Sequence, residues 1–341
     1  MGTALLTDPP APGVDAQRNW ERWRPKVLFL VRRLTALIAL LFLLSIAVFA
    51  LLYASPGSAA DALLGGRPRT AAMLAAVNKE FHLNDPLPLQ YARWLTGALH
   101  FNFGISIRTG VPVLDLFKAQ APTTLFLVGY AVILAMISGV GLGFLAAYYR
   151  GTILDRLVVV FSVVGASSPA FATALLLIVV FGVAIPLFPV YGSGTGFLGE
   201  LYYLTLPAIA LASTTMALVA KLTRAALIAA FDQDYVSFAR ARGIGTGRVI
   251  LMYGFRNAIG PILTSVNLVV ANLIFGVILG EVVFALPGLG SLFISSVTYH
   301  DLPVIQAFAL LTGATIMVVN LMVDMLYVLF DPRVEFGRSA S

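Results

Sequence analysis

Residue types able to make and break bonds are scarce and scattered in this 341-residue chain. It contains no Cys, which removes disulfides, thiolate nucleophiles and thiolate metal sites. Three dispersed histidines, His82, His100 and His300, leave metal chemistry little to work with. Neither a Gly-x-x-x-x-Gly-Lys-Ser/Thr phosphate cradle nor Gly-x-Ser-x-Gly nor His-Glu-x-x-His occurs. Gly243-Ile-Gly-Thr-Gly247 superficially imitates a nucleotide loop, but no Lys-Ser/Thr follows it and no buried strand precedes it. It reads as a turn between two short helices. The expectation is a chain with no catalytic residues, no metal and no cofactor of its own, whose energy must come from a partner.

Ionisable groups at membrane depth are functional candidates, because placing them there is costly. Here they are few. Asp324 shares a helical face with Asn320 and Tyr327, Asp155 and Arg156 sit at an interface, and Lys221 and Arg224 can snorkel or meet the loop that follows. The central spans offer no buried carboxylate or His chain, which argues against proton-linked carriage. Among uncharged groups, Ser265, Asn272 and Gly276 recur at i, i+7 and i+11, a face that could line a wet pathway or bond a neighbouring helix. Pro169 should kink its helix for want of an N–H, with Ser167 and Ser168 able to satisfy freed carbonyls, and the kink could serve as a gate or as shape. Gly139 and Gly143, four apart, let two helices approach closely.

The elements that carry these residues are set by composition. The chain is 59% hydrophobic and only 11% charged, with a mean hydropathy of +0.92. A soluble fold of this size needs about 25% charged residues to cover its surface, so the apolar excess faces lipid. Six windows are long enough to cross a hydrocarbon core of roughly 30 Å: residues 34–54, 123–149, 157–185, 201–230, 261–286 and 304–330. The fold class is therefore an all-α polytopic membrane protein with six transmembrane helices. Basic residues cluster before the first span (Arg18, Arg22, Arg24, Lys26, Arg32, Arg33), near Arg150 and Arg156, and from Lys221 to Arg256, whereas residues 186–200 and 287–303 hold none. By the positive-inside rule both termini are cytoplasmic. The net charge of +6 is thus a membrane-retention signal rather than a nucleic-acid surface.

The implied organisation is a tail and interfacial segment over 1–26, of which residues 1–17 read as disordered, a first helix over 27–54, and an external lobe over 55–122. A five-helix core follows over 123–330, then a cytoplasmic tail over 331–341. The largest cytoplasmic loop, 232–260, reads as two short helices. One of about eight residues is N-capped by Asp232 or Asp234 and closed by Gly243 in the left-handed C′ conformation, and a second runs from Thr246 to Asn257. Tyr235, Phe238, Ala239 and Arg242 then share one semi-apolar face, which either lies on the protein's own transmembrane ends or docks a separate protein.

In this loop Ala239-Arg-Ala-Arg-Gly243, followed by Arg256-Asn-Ala-Ile-Gly-Pro261, resembles the EAA loop of ABC importer permeases in its peptide-type form, although the opening Glu-Ala-Ala is missing. Asn84-Asp-Pro86 with Gln90-Tyr91 and Trp94, Ser168-Pro169-Ala-Phe171, and Glu281-Val-Val-Phe284-Ala-Leu-Pro287-Gly-Leu-Gly290 agree with the B-type permeases of dipeptide, oligopeptide and nickel importers. So do Asp301-Leu-Pro303, Asn320 to Asp324, and Asp331-Pro-Arg333. The likeness covers roughly residues 27–336. Phe101-Asn102-Phe-Gly104 and Ser58-Ala59 depart from it.

The resemblance implies a type I importer half in the inner membrane of a prokaryote. Its implied partners are a homologous C-type permease, two ATP-binding subunits that hold ATP and Mg, an extracytoplasmic substrate-binding protein and membrane lipid, with no nucleic acid. It implies ATPase coupling through Tyr235, Phe238, Ala239, Arg240, Ala241, Arg242, Gly243, Ile244, Asn257 and Pro261. Pathway candidates are Ser168, Pro169, Ser265, Asn272 and Gly276, and binding-protein docking candidates are Asp85, Tyr91, Trp94, Pro287, Gly288 and Asp301. The cargo it implies is di- or oligopeptide, with nickel or another small solute as the alternative. A passive channel or proton-linked carrier is the more distant reading.

Overall fold

A backbone in hydrocarbon must satisfy its N–H and C=O groups internally, which leaves helices or closed barrels. This computed structural model describes residues 14–54, 60, 70–80 and 82–330, and its named elements are helices. Five of them are long and apolar enough to cross a membrane: Leu28–Tyr53, Val113–Tyr148, Thr205–Phe231, Thr246–Val283 and Leu302–Met325. A sixth span results when Ile153–Ser167 and Ala170–Ala184, bent by 104° at their junction, are taken together. The expected motif Asp331-Pro-Arg333, the loop departure at Ser58-Ala59 and residues 1–13 lie outside the described residues.

In chain order the helices are α1 (Val14–Ala54), α2 (Ala71–Glu80), α3 (Leu87–Leu99), α4 (Val113–Tyr148), α5 (Ile153–Ser167) and α6 (Ala170–Leu177), which runs on through π-helical turns over Ile178–Ala184. Then come α7 (Gly196–Tyr203), α8 (Thr205–Phe231), α9 (Asp234–Ala241), α10 (Thr246–Val249), further π-helical turns over Ile250–Phe255, α11 (Arg256–Val283), α12 (Leu289–Thr298) and α13 (Leu302–Phe330).

The central helix is α8, which packs on α4, α5, α6 and α11. Its small residues explain why. Ala208, Ala210, Ala217 and Ala220 are buried and let neighbouring backbones come close. The approach is closest against α4, where a Cβ at Gly139 would stand 2.6 Å from that of Val219 and one at Gly143 2.6 Å from the Ala220 carbonyl oxygen. On the other side Leu211 fills the space left by Gly276 and Gly280 of α11. At the periphery α1 and α13 run antiparallel, tied at one end by Arg33 to Asp324 (3.0 Å) and near the other by the Gln306 amide to the Val48 carbonyl (3.1 Å). The start of α1 and the end of α13 therefore share one side.

Several boundaries differ from the sequence reading. Helix α1 begins at Val14, so residues 14–17 are helical rather than disordered. Helix α4 begins at Val113 and takes ten residues from the expected external lobe, with Pro122 in its interior. Membrane helices tolerate such prolines because neighbouring helices resatisfy the backbone. The expected kink at Pro169 is a full break, with Ser168 and Pro169 both extended and the Ser168 hydroxyl donating to the Val164 carbonyl (2.9 Å). Residues 201–230 divide at Leu204 into α7 and α8. The short helix expected over 246–257 is continuous with the fifth span, so Asn257 and Pro261 lie within one long helical run.

Candidate functional site

Helix α9 is a short rod at the end of the bundle. Its first residue is Asp234, preceded by Gln233 with no side-chain cap. Asp232, expected as a cap, instead faces Arg150 at 2.9 Å in an exposed pair. At the other end Gly243 adopts φ +75°, a left-handed C′ position, and the Ile244 N–H reaches back to the Ala239 carbonyl (3.2 Å).

The spacing puts Tyr235, Phe238, Ala239 and Arg242 on one face, turned either to the bundle or to a partner, and the structure divides them. Val236 and Ala239 face inward, with Val249, Ile244 and Tyr253 against them, and the ring of Tyr235 lies tilted on that of Tyr253 at 5.9 Å. Phe238, by contrast, is 69% exposed, and Arg240, Ala241 and Arg242 are exposed with it. The alternation follows from a helix two turns long. Residues 236 and 239 sit on the inner stripe, which leaves 235 at its edge and 238 and 242 outside. Phe238 thus presents a large apolar ring outward alongside the exposed Arg240 and Arg242 side chains.

Behind α9 the packing is continuous. The π-helical turns over 250–255 place Gly254 against Phe231 of α8, where an added Cβ would meet that ring at 2.5 Å. Phe255 lies on Phe144 of α4 (5.6 Å). The Asn257 amide donates to the Tyr253 carbonyl (2.6 Å) within its own helix, and Pro261 is exposed, so neither belongs to the surface of α9. One turn inside the same end, Arg224 of α8 grips Asp155 of α5 with two hydrogen bonds (2.7 and 2.9 Å), and the Gly151 N–H adds a third contact to that carboxylate (2.9 Å). The sequence reads Asp155 as interfacial and Arg224 as snorkelling or meeting the following loop, and does not pair them.

The pathway candidates do not share one environment. Ser265 is buried and donates to Ile262 of its own helix (2.6 Å), Asn272 is exposed and donates to Leu268 (2.7 Å), and Gly276 packs on Leu211. Ser168 and Pro169 form the break in the third span. Of the docking candidates, Pro287 is exposed, and Asp85 is half-buried and paired with Arg93. Tyr91 and Trp94 turn inward. The Tyr91 hydroxyl meets that of Ser45 at 2.7 Å, and both rings lie on Phe49 of α1. Gly288 and Asp301 are buried and offer no contact surface. Asp301 instead accepts from the Ser106 hydroxyl (2.5 Å) and the backbone of Ile107 (3.1 Å) and Arg108 (3.4 Å).

A further correction concerns charge. The central spans were expected to hold no buried carboxylate, yet Glu281, near the end of α11, is 0% exposed. It accepts from the Thr124 hydroxyl (2.5 Å) and from the backbone N–H groups of Gly290 (2.7 Å) and Ser291 (3.1 Å) at the start of α12. A helix N-terminus supplies the free donors and favourable dipole that a buried anion needs. The signal was the motif Glu281 to Gly290, since Gly288 and Gly290 are where a Cβ would strike that carboxylate.

Comparison with known proteins agrees with this geometry. Residues 139–336 match the family described as binding-protein-dependent transport system inner membrane component, and residues 26–128 match its N-terminal counterpart. The chain is 35% identical to the probable peptide ABC transporter permease protein y4tP of Sinorhizobium fredii over 91% of this chain and 99% of that one. It is 34% identical to the glutathione transport system permease protein GsiC of Escherichia coli, over 90% and 99%. With the oligopeptide transport system permease protein AppB of Bacillus subtilis it shares 33% identity over the same shares. Five apolar spans, six with the bent pair joined, and matches along nearly the whole length agree. The chain belongs to the binding-protein-dependent ABC transport permeases, multi-pass proteins of the prokaryotic inner membrane.

Proposed function

We propose that this chain carries peptides inward as one half of an ATP-driven permease pair and does no bond-making chemistry itself. The carrying observation is α9: a lever packed through Val236 and Ala239 on the base of the fifth span, presenting Phe238, Arg240 and Arg242 outward. An ATPase groove would take Phe238 as an apolar anchor and supply acidic or carbonyl partners to the arginines. Closure of two such ATPases on ATP and Mg then displaces α9, and the continuous helix from Thr246 carries the motion into the bundle. On this reading the face bearing α9 and both chain termini is cytoplasmic. A homologous second permease completes the pathway, and a binding protein delivers cargo to the opposite face, where Pro287 and the lobe beside α3 are exposed. The kinship to peptide, glutathione and oligopeptide permeases supports peptide cargo.

The test is uptake into proteoliposomes holding this chain, its second permease and the ATPases, with the binding protein and a labelled peptide outside. ATP-dependent accumulation is expected. Flux through the chain alone, or accumulation without ATP, would overturn the reading in favour of a channel or carrier.

A further inference from the structure

Two buried carboxylates bracket one short helix. At the start of α12, Glu281 accepts from the N–H groups of Gly290 and Ser291 and from Thr124 of α4, whose hydroxyl oxygen also accepts the Leu289 N–H at 2.8 Å. Directly after the end of α12, Asp301 grips Ser106, Ile107 and Arg108. Those residues form the turn of a small hairpin closed by Ser106 N–H to Val111 (2.9 Å) and Val113 N–H to Gly104 (3.0 Å), and the hairpin runs straight into α4. The guanidinium of Arg108 lies over the ring of Tyr299 at 4.1 Å. On either side of α12 the chain turns through left-handed residues, Ala285 (φ +48°) and His300 (φ +57°). Each turn is closed by a local return bond across five residues, Leu286 N–H to the Glu281 carbonyl (2.8 Å) and Asp301 N–H to the Ser296 carbonyl (2.8 Å), the bond that ends a helix through a left-handed residue.

Building on the importer reading, we propose that Glu281 and Asp301 are positioning residues for transport. They clamp α12 at both ends, so the outer ends of α4, α11 and α13 move as one body through the cycle. The clamp stops short of the third span. There α5 and α6 meet at 104° across Ser168 and Pro169, and the proline ring removes the backbone bond that would stiffen the joint. Opening therefore takes place at that joint and not among the clamped ends. Uncharged Gln at 281 keeps one oxygen for the Gly290 and Ser291 N–H groups but turns an N–H₂ toward the Thr124 hydroxyl that now donates to Glu281, so the tie of α12 to α4 loosens while the spans stay in place.

The absence of native Cys makes paired spin labels clean to place. Labels at Ile133→Cys on α4 and Val297→Cys on α12 report the clamp, and labels at Ile133→Cys and Leu176→Cys report the joint. All three side chains are exposed in this chain. In the full complex the first distance is expected to stay within its label width between nucleotide-free and vanadate-trapped states, while the second shifts. Glu281→Gln is expected to broaden the first distance and lower peptide taken up per ATP hydrolysed. A shift of the 133–297 distance in a complex that transports normally overturns the clamp and leaves the importer reading standing. An unchanged peptide-to-ATP ratio in a folded Glu281→Gln complex overturns it as well. Loss of all uptake by the unsubstituted complex would instead strike the importer reading itself.

Discussion

Adding one methyl group at Gly143 tests the packing of α4 on α8 in a way that separates two opposing effects. The new Cβ would lie 2.6 Å from the Ala220 carbonyl oxygen, 2.7 Å from the Thr223 Cβ and 3.1 Å from the Arg224 nitrogen. Two of these three neighbours are backbone and cannot swing aside. Carbon contacts relax near 3.5 Å, so the helices must part by roughly 1 Å, a gap that forfeits a quarter to half of the local dispersion energy. Overpacking of this kind costs about 1–3 kcal/mol, against about 1 kcal/mol gained when Ala replaces Gly inside a helix. With rigid neighbours the cost lies at the upper end, and Gly143→Ala should destabilise by about 2 kcal/mol. Two residues away, a Cβ at Gly141 meets nothing within 4 Å, so Gly141→Ala should stabilise by up to about 1 kcal/mol. Unfolding in mixed micelles, read as the denaturing-detergent midpoint, compares the pair directly. Equal midpoints, or a Gly143→Ala protein more stable than Gly141→Ala, would refute the close approach.

Two ion pairs near the α9 face should respond very differently to loss of the cation. Asp155 is 7% exposed beside Arg224, so Arg224→Ala strands a buried carboxylate and should cost about 3–5 kcal/mol. Arg150 and Asp232 are both more than half exposed, and Arg150→Ala should cost no more than about 1 kcal/mol. Thermal midpoints in detergent check both, and similar losses would contradict the assigned burial. His300→Gly removes left-handed strain at φ +57° and should raise the midpoint, by about 0.5–1 kcal/mol of stability. Gly243→Val, at φ +75°, should cost about 1 kcal/mol or more and reduce uptake while membrane insertion stays normal. A fall in the first midpoint or unchanged uptake in the second would count against the left-handed assignments.

The apolar windows made the six spans legible, because hydropathy over twenty residues reports directly on lipid contact. The short helix α9 was legible too, since Gly243 marks its end and the run before it has helical spacing. What escaped were contacts between residues distant in sequence. Asp155 and Arg224 are 69 positions apart, and Glu281 and Thr124 are 157 apart. Nothing local says that they meet. Pro261 misled because proline so often opens a helix, whereas here it sits inside one that had already started at Thr246. Spacing alone left open whether the face with Tyr235, Phe238 and Ala239 meets the bundle or a partner, because in a helix of two turns only the tertiary contacts of Val236 and Ala239 decide which side is inward. Glu281 was read as part of a motif and not as a buried group, because its donors come from the backbone of α12 and leave only glycines in the sequence.

The central claim is that α9 passes force from ATPases into the bundle through its exposed ring. Phe238→Asp keeps the inner contacts of Val236 and Ala239 and places a carboxylate where the anchor stood. Measured in the reconstituted complex with peptide and binding protein present, peptide-stimulated ATP hydrolysis should fall to its unstimulated rate, and the ATPases should no longer copurify, while the amount of inserted permease is unchanged. Full stimulation and copurification with Asp at that position would contradict the account.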